Sequence, residues 1–345
     1  MKKEIIGFIV PVVILIGCGK ERLPEKEVNI TFFRYDSAIY SHSWDSAFVS
    51  YILDSLYPLH TRMTEDFFII HRVGKPTDTT AIINLQKLFL QDPYMQELYD
   101  SVKERFSNKL LREKIEELHS ALRKLKAIYP QMPDYKIYTY VAPFVYKSFV
   151  DSNVLAWELD MYLGPNFKYY PSLHLPMYMI RKFRHEYMVP DMLKVILEDL
   201  FPPPDPMPHL LANMIYNGKV LYVIEKLLPE YHDTVIIGWE AKKWEWVKQY
   251  EADLWEYFLK HDLLYNNEYI KYRKYVQDGN TTAGLPPESP GNIGTWIGWQ
   301  IVRKYMDKHP EVSLYELLTH PDSTGQYILQ ASGYRPKAGW LDFID

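Results

Sequence analysis

Apolar side chains recur at helical spacing through most of this chain. The clearest case is 110–129, where apolar residues follow one another at intervals of three or four. Because this spacing places them along one face, we predict an amphipathic helix there. The same pattern predicts helices at 44–57, 80–90, 93–106, 171–187, 191–201, 209–228, 239–260 and 313–319. Pro58 ends the helix predicted at 44–57, and Pro190 separates the helices predicted at 171–187 and 191–201. Asn217 and Gly218 interrupt the helix predicted at 209–228.

One more predicted helix, at 292–306, differs because apolar residues surround it. Asn292 is a suitable N-cap, isoleucines follow at every fourth position, tryptophans lie between them, and the first charge is Arg303. A helix that is apolar on all sides is a buried one, so we expect this Gly/Trp-rich helix at the centre of the fold. Gly294 and Gly298 each cost about 1 kcal/mol relative to alanine. We expect a neighbouring backbone packed against both.

Few strands accompany these helices. Short strands are predicted at 28–32, 135–141 and 154–162 from β-branched and aromatic content or from alternation. The predicted fold class is therefore α+β and mainly helical, with a small β-sheet and a helical bundle around the buried helix. We predict a single globular domain at 28–345, with lobes at 28–150 and 151–345 as the alternative division.

The first residues carry the signature of a bacterial lipoprotein. Two lysines precede an apolar run at 5–16, and Leu-Ile-Gly comes directly before Cys18. This arrangement matches the site where a signal peptidase cuts before a lipidated cysteine. The apolar run is too short to span a bilayer. We therefore predict a signal peptide at 1–17, lipid attachment at Cys18 and a charged, lipid-anchored tether at 18–27.

The predicted anchor also places the protein in the cell. Cys18 is the only cysteine, so the chain can form neither an internal disulfide nor a Cys-based metal site. Acylated at this residue, the mature protein begins outside the cytoplasm. We expect it in the cell envelope, facing the periplasm and held by diacylglycerol and acyl chains to the inner or the outer membrane.

Composition narrows the range of partners. Hydrophobic residues make up 47% of the chain, which is enough for a large core. The formal net charge is -5 and no basic block is present, so we predict no nucleic-acid partner. The 29 tyrosines and 9 tryptophans suit a core with amphipathic rims or a surface that binds sugars or proteins.

The most suggestive chemical pair is His185 and Glu186. A His-Glu-x-x-His helix holds zinc through two histidines one turn apart, with the glutamate as general base. Here Val189 occupies the second position, and no two histidines in the chain are four apart. The nucleophile-elbow, phosphate-loop and dinucleotide motifs are missing as well. We predict no metal, no cofactor and no catalytic residue, although paired carboxylates such as Glu198 and Asp199 could cleave a glycosidic bond if their spacing allowed.

Aromatic and proline residues supply a candidate partner surface. Trp244, Trp246 and Trp255 in the predicted helix at 239–260 could stack on sugar rings or on a protein partner. They also fall along helical stripes, so core packing is the simpler interpretation. Pro203 and Pro206 lie in a proline-rich loop at 201–208, and loops of this kind commonly carry function. A second loop, rich in glycine and proline, spans 279–290.

Several motifs resemble those of the gliding-motility lipoprotein GldB family. They are Lys-Trp-Glu-Trp-Val-Lys at 243–248, Ser-Pro-Gly at 289–291 and Ile-Gly-x-Trp-Ile-Gly-Trp-Gln-Ile-Val at 293–302. The segments 213–219 and 313–318 agree in order and spacing, so the resemblance covers most of the mature chain. Asn292 stands where the family often has a basic residue. The resemblance implies that the protein is a lipid-anchored component of the gliding motility machinery, which is linked with protein secretion. The family has no established catalytic activity.

More distantly, the layout is similar to predicted zinc peptidases in which a His-Glu-x-x-His helix is followed by a Glu-Gly helix. The corresponding segments here are 197–201 and 217–218, of which only Glu198 keeps the motif. This similarity implies a degenerate zincin-like fold with a remnant site at Glu198, Asn217, His185 and Glu186. Two functions follow from the sequence: a non-catalytic binding or assembly component, and, as the alternative, a cell-envelope hydrolase acting on peptide or glycan.

Overall fold

The computed structural model describes residues 23–336. Its first part contains β1 (Ile30–Arg34), α1 (Tyr35–Ser41), α2 (Phe48–Tyr51), α3 (Tyr57–Leu59), α4 (Thr61–His71), α5 (Thr79–Asn84), α6 (Pro93–Arg105), α7 (Asn108–Ile128), β2 (Tyr135–Tyr140), β3 (Ser148–Asp151) and β4 (Val154–Glu158). Its second part contains α8 (Met177–Ile180), α9 (Met188–Leu200), α10 (Leu210–Leu227), α11 (Asp233–Ile237), α12 (Ala241–Gln249), α13 (Glu251–Lys260), α14 (Tyr269–Tyr272), α15 (Ile293–Lys308), α16 (Leu314–Thr319) and α17 (Gln326–Ser332). The predicted class, α+β and mainly helical, is confirmed.

The strands form one four-stranded sheet in the order β1-β2-β4-β3. β2 pairs in parallel with β1 and with β4, aligning Phe32 with Ile137 and Tyr138 with Ala156. β3 pairs with β4 in the antiparallel direction and forms the edge. Every residue of β4 is buried, as expected for a strand covered on both faces.

The predicted buried helix is α15, and it crosses α10 at very short range. A Cβ atom added to Gly298 would lie 1.9 Å from the carbonyl oxygen of Met214. One added to Gly218 would lie 2.4 Å from the carbonyl carbon of Gly298, and one added to Gly294 would lie 2.9 Å from the carbonyl oxygen of Tyr275. Both glycines of α15 therefore face a packed backbone, as predicted. The start differs, because Asn292 is left-handed (φ 63°) and makes no side-chain cap.

The predicted interruption at Asn217 and Gly218 is wrong. α10 is continuous there, because Gly218 lies where the backbones of α10 and α15 touch, and the packing outweighs the low helix propensity of glycine. Pro190 does not separate two helices either. It lies in the first turn of α9, where backbone N–H groups have no intrahelical acceptor, so the missing N–H of proline costs no hydrogen bond. Pro58 likewise lies in the first turn of α3, and a π-helical segment, Ile52–Leu56, joins α2 to α3.

Two longer predicted helices are broken in the structure. The segment 171–187 forms only short turns and α8, because His174 is left-handed (φ 51°) and the residue before Pro176 is restricted to extended conformations. The segment 239–260 is divided at Tyr250, whose φ of -107° and ψ of 21° are not helical, so α12 and α13 are separate. The amphipathic helix is α7, capped by the Ser107 side chain, which accepts from the Leu110 amide at 3.2 Å.

The segment before β1 is attached to α7. The Lys26 amide donates to the carbonyl of Arg123 at 3.0 Å, and Arg123 Nε donates to Glu25 Oε2 at 2.8 Å. The last residues of the predicted tether therefore lie on the folded body. Cys18 and the predicted signal peptide lie outside the described residues. Across 23–336, no helix combines the length and the apolar content that crossing a bilayer requires.

Candidate functional site

A cleft of about 350 Å³ lies between the segment around α8, the α11–α12 region and the loop 278–290. Basic side chains from separate parts of the chain converge on it. We define the cationic cleft by the four that line it, Arg181, Lys182, Arg184 and Lys243. Buried Tyr187 and Trp239 supply aromatic walls.

The first wall is positioned by the turn at 181–184. Phe183 is fully buried, with its ring 4.9 Å from that of Tyr170, so it anchors the turn in the core. The Gly164 amide donates to the Phe183 carbonyl at 2.8 Å, and Leu163 and Arg184 form an antiparallel bridge. These contacts fix the backbone that carries the basic residues on either side of Phe183.

The second wall is the loop 278–290, which is folded back on itself. The Gly291 amide donates to the Gly279 carbonyl at 3.2 Å, and buried Thr282 donates through Oγ1 to the Pro290 carbonyl at 2.7 Å. A Cβ atom on Gly291 would lie 2.3 Å from the Gly279 nitrogen, so only glycine permits this closure. The loop is thereby held in one conformation beside the cleft.

Lys243 joins helix α12 to this loop. Its ammonium donates to the carbonyls of Pro287 and Ser289, at 2.9 Å each. Removal from water lowers the pKa of Lys243 below that of an ordinary lysine. Sequence spacing suggests an ion pair between Glu240 and Lys243, but the structure instead pairs Glu240 with Arg181 at 2.5 Å.

The cleft carries an excess of positive charge. Four basic and two acidic side chains line it, on a chain whose formal net charge is -5. Lys182 pairs with Asp278; burial raises the pKa of that carboxyl, but the ammonium outweighs burial and holds the pKa below its ordinary value. Arg184 forms a long ion pair with Glu186, in which Nε and Oε2 are 3.9 Å apart. This Nε is buried and has no hydrogen-bond partner among the described residues. Such an arrangement can hold an anionic group.

The predicted remnant residues are only partly brought together. His185 and Glu186 lie on the turn His185–Tyr187 before α9, with Nδ1 and Oε2 3.6 Å apart. Burial lowers the pKa of His185. Glu198 lies on α9 with Lys194 3.9 Å away, whereas Asn217 lies on α10 and donates to the Asn213 carbonyl at 2.9 Å. No hydrogen bond or ion pair within 23–336 joins the first pair to either of the other two.

A metal site would need several donor side chains at one place. In the described part of the chain, no group of three or more His, Cys, Asp or Glu side chains is placed to hold a metal ion. The absence of a bound metal and cofactor in the functional protein stays a prediction.

The predicted partner residues lie at different depths. The Trp244 ring centre lies 6.2 Å from that of Trp296, and the Trp255 ring centre lies 5.2 Å from that of Tyr334. All three tryptophans are half-buried, and the Trp246 ring centre lies 4.9 Å from that of Tyr250. The two prolines, Pro203 and Pro206, are exposed. The tryptophans therefore contribute to packing, and a role of these residues in partner binding stays a prediction.

The cationic cleft itself was not foreseen from the sequence. The sequence feature that could have indicated this cleft is the short basic run of Arg181, Lys182 and Arg184. A continuous helix at 171–187 would have turned Lys182 away from Arg181 and Arg184, whereas in the structure all three line one cleft. The contribution of Lys243 comes from a helix some sixty positions later and has no local signal.

The fold and the cleft together define a mainly helical α+β protein with a cleft lined by four basic side chains. A comparison with known protein families matches residues 19–336 to the family described as gliding motility protein GldB. Since the match covers nearly the whole chain, the chain belongs to the GldB family, and the resemblance found in the sequence is confirmed. No curated protein and no solved structure matches the chain. The similarity to zincin peptidases is not shown.

Proposed function

We propose that this chain is a membrane-anchored, non-catalytic lipoprotein that serves as a binding and assembly component of the gliding motility machinery and of the secretion linked to it. Family membership supports a role in gliding motility. The observation that carries the binding role is the charge excess of the cationic cleft. Arg181 and Lys182 pair closely with carboxylates, whereas the carboxylate partner of Arg184 lies at 3.9 Å and Lys243 donates to two backbone carbonyls.

The attachment of Glu25 and Lys26 to α7 supports the anchored arrangement. Only residues 19–24 separate Cys18 from this attachment, and six extended residues reach roughly 20 Å. The folded body is therefore held close to the membrane surface. Such a position suits a component whose partners are themselves in the envelope.

Lipid attachment at Cys18 accounts for the location of the protein in this proposal. Each buried methylene contributes about 0.8 kcal/mol, so several acyl chains on one cysteine give effectively stable attachment. The sequence between Cys18 and the folded body has neither an amphipathic helical pattern nor a cluster of four or more basic residues that could replace the lipid anchor.

We expect Cys18→Ser to abolish lipid attachment and gliding while leaving the body folded. No disulfide depends on Cys18, so the domain loses only its anchor. The measurement combines radiolabelled-palmitate incorporation with complementation of a strain that lacks the protein. Lys20→Ser, a change in the same segment that leaves Cys18 in place, is the matched control and should restore gliding. Full gliding by a Cys18→Ser protein that incorporates no palmitate would contradict the proposal.

A further inference from the structure

We infer that the cationic cleft recognises a short acidic peptide segment of a protein partner, through carboxylates that reach Arg184 and Lys243. This inference rests on the proposed binding role and names its ligand. It concerns a site whose lining residues come from three separate segments of the folded chain.

The first argument is that neither Arg184 nor Lys243 has a close carboxylate partner among the described residues. The Arg184 side chain is 43% exposed, its Nε lies 3.9 Å from a carboxylate oxygen of Glu186, and its guanidinium lies 5.7 Å from the ring centre of Tyr187. Lys243 uses two donors on the carbonyls of Pro287 and Ser289, and an ammonium has three. A carboxylate is a suitable partner for each of these groups, since charge-assisted bonds to Arg and Lys are the stronger kind.

The second argument is the mixed character of the lining. Carboxylates of Glu240 and Asp278 stand in the same cleft, each paired with a cation. A densely charged surface such as an anionic membrane would meet repulsion from both. A peptide with spaced carboxylates avoids this, and its amide groups suit the exposed side chain of Asn280, which also lines the cleft.

The third argument is the shape and the rigidity of the cleft. About 350 Å³ lies at the lower end of the range for ligand-binding cavities, so the cleft fits a short segment and not a folded domain. Trp239 and Tyr187 offer apolar contact for side chains between the carboxylates. Gly238 is left-handed (φ 80°), and a Cβ atom there would lie 2.7 Å from Cδ of Lys182, so glycine lets Lys182 pass closely over the chain. A preformed site of this kind binds with less loss of entropy.

The test uses the full lipidated protein in detergent and a fluorescent peptide of alternating glutamate and tyrosine. The comparison peptide replaces every glutamate with glutamine. The variant is Arg184→Gln with Lys243→Gln. The matched control is Lys242→Gln with Lys248→Gln, which removes two exposed charges from the same region outside the cleft.

We expect the acidic peptide to bind, the glutamine peptide to bind at least tenfold more weakly, and the cleft variant to lose about tenfold or more in affinity for the acidic peptide. The control variant should bind like the parent, and added salt should weaken binding. Equal binding of the two peptides, or unchanged binding by the cleft variant, would overturn the inference. Displacement of the peptide by millimolar inorganic phosphate, or stronger binding to vesicles containing phosphatidylglycerol, would overturn it in favour of a phosphate or a lipid surface.

A negative result in the peptide-binding test can be distinguished from failure of the proposed function. If the peptide result is negative but Cys18→Ser still abolishes gliding, the anchored role stands and only the ligand is wrong. If the peptide binds as expected but unlipidated protein restores gliding, the cleft is a peptide site and the anchored role is wrong.

Discussion

Gly298→Leu should lower the free energy of unfolding by about 3 kcal/mol or more, at or beyond the upper end of the usual effect of overpacking. A Cβ atom at this position would lie 1.9 Å from the Met214 carbonyl oxygen, well inside contact distance. The neighbour is helix backbone and cannot move aside as a flexible side chain can. α10 and α15 would have to separate, and the core they share would be disrupted. Urea unfolding followed by tryptophan fluorescence measures the loss, since Trp296 and Trp299 lie on α15.

Alanine substitutions rank the two glycines of α15 against each other. Gly298→Ala should destabilise the protein more than Gly294→Ala, because the contact of an added Cβ is 1.9 Å in the first case and 2.9 Å in the second. Helix propensity favours alanine by about 1 kcal/mol at both positions, so it cancels from the comparison. Equal stabilities, or an unchanged Gly298→Leu protein, would show that the two helices do not cross at this glycine.

Two buried carboxyl groups should contribute more to stability at about pH 5 than at about pH 8. Glu158 and Asp160 are both fully buried. Glu158 accepts from the amides of Val145 and Tyr146 at 2.7 and 2.6 Å, and Asp160 accepts from those of Ala142 and Phe144 at 3.2 and 3.0 Å. These carboxyl groups therefore hold the loop that joins β2 to β3.

Whether acid raises or lowers the contribution of these groups to stability follows from the direction of their pKa shifts. Burial raises the pKa of Asp160 to about 7 and that of Glu158 well above its ordinary value, with the neighbouring carboxylate as a second cause for Glu158. Because the folded-state pKa of Asp160 exceeds its unfolded value, its protonated form favours the fold. The contribution of Asp160 to stability is therefore greatest below the unfolded pKa of about 4 and declines as the pH rises towards 7.

Asp160→Asn should remove much of this pH dependence, changing the difference in unfolding free energy between the two pH values by more than about 1 kcal/mol. Urea midpoints at both pH values give the measurement. Asp205→Asn, at an exposed position, is the matched control and should leave the dependence unchanged. The same pH dependence in Asp160→Asn as in the parent protein would contradict the predicted ionisation of this pair.

The local spacing of apolar residues was sufficient to predict the central helices. α7 and α15 are recognisable because their apolar spacing is set by the surface that each buries. The close contact at Gly298 was also predictable, since an otherwise apolar helix retains a residue of low propensity there. β3, however, has only four half-buried residues, too few for an alternating pattern to be visible.

The candidate site could not be predicted in the same way. Its cations come from a turn and from α12, two parts of the chain that are some sixty positions apart. The proline positions in that segment were visible in the sequence, but the left-handed conformation of His174 was not. The sequence motif at 289–291 was recognisable as a family feature, whereas its structural role in supporting Lys243 required the tertiary contacts.

The most direct test of a binding role, as opposed to a catalytic one, compares two double variants in a gliding assay. Arg184→Gln with Lys243→Gln removes two of the four cations of the cleft. Glu186→Gln with Glu198→Gln removes the carboxylates on which a remnant hydrolase would depend. Each is expressed in a strain that lacks the protein, with palmitate labelling and thermal unfolding as checks on anchoring and folding. We predict that the cleft variant is anchored and folded but does not restore gliding, whereas the carboxylate variant restores it; gliding by the first and none by a folded, anchored second would contradict the account.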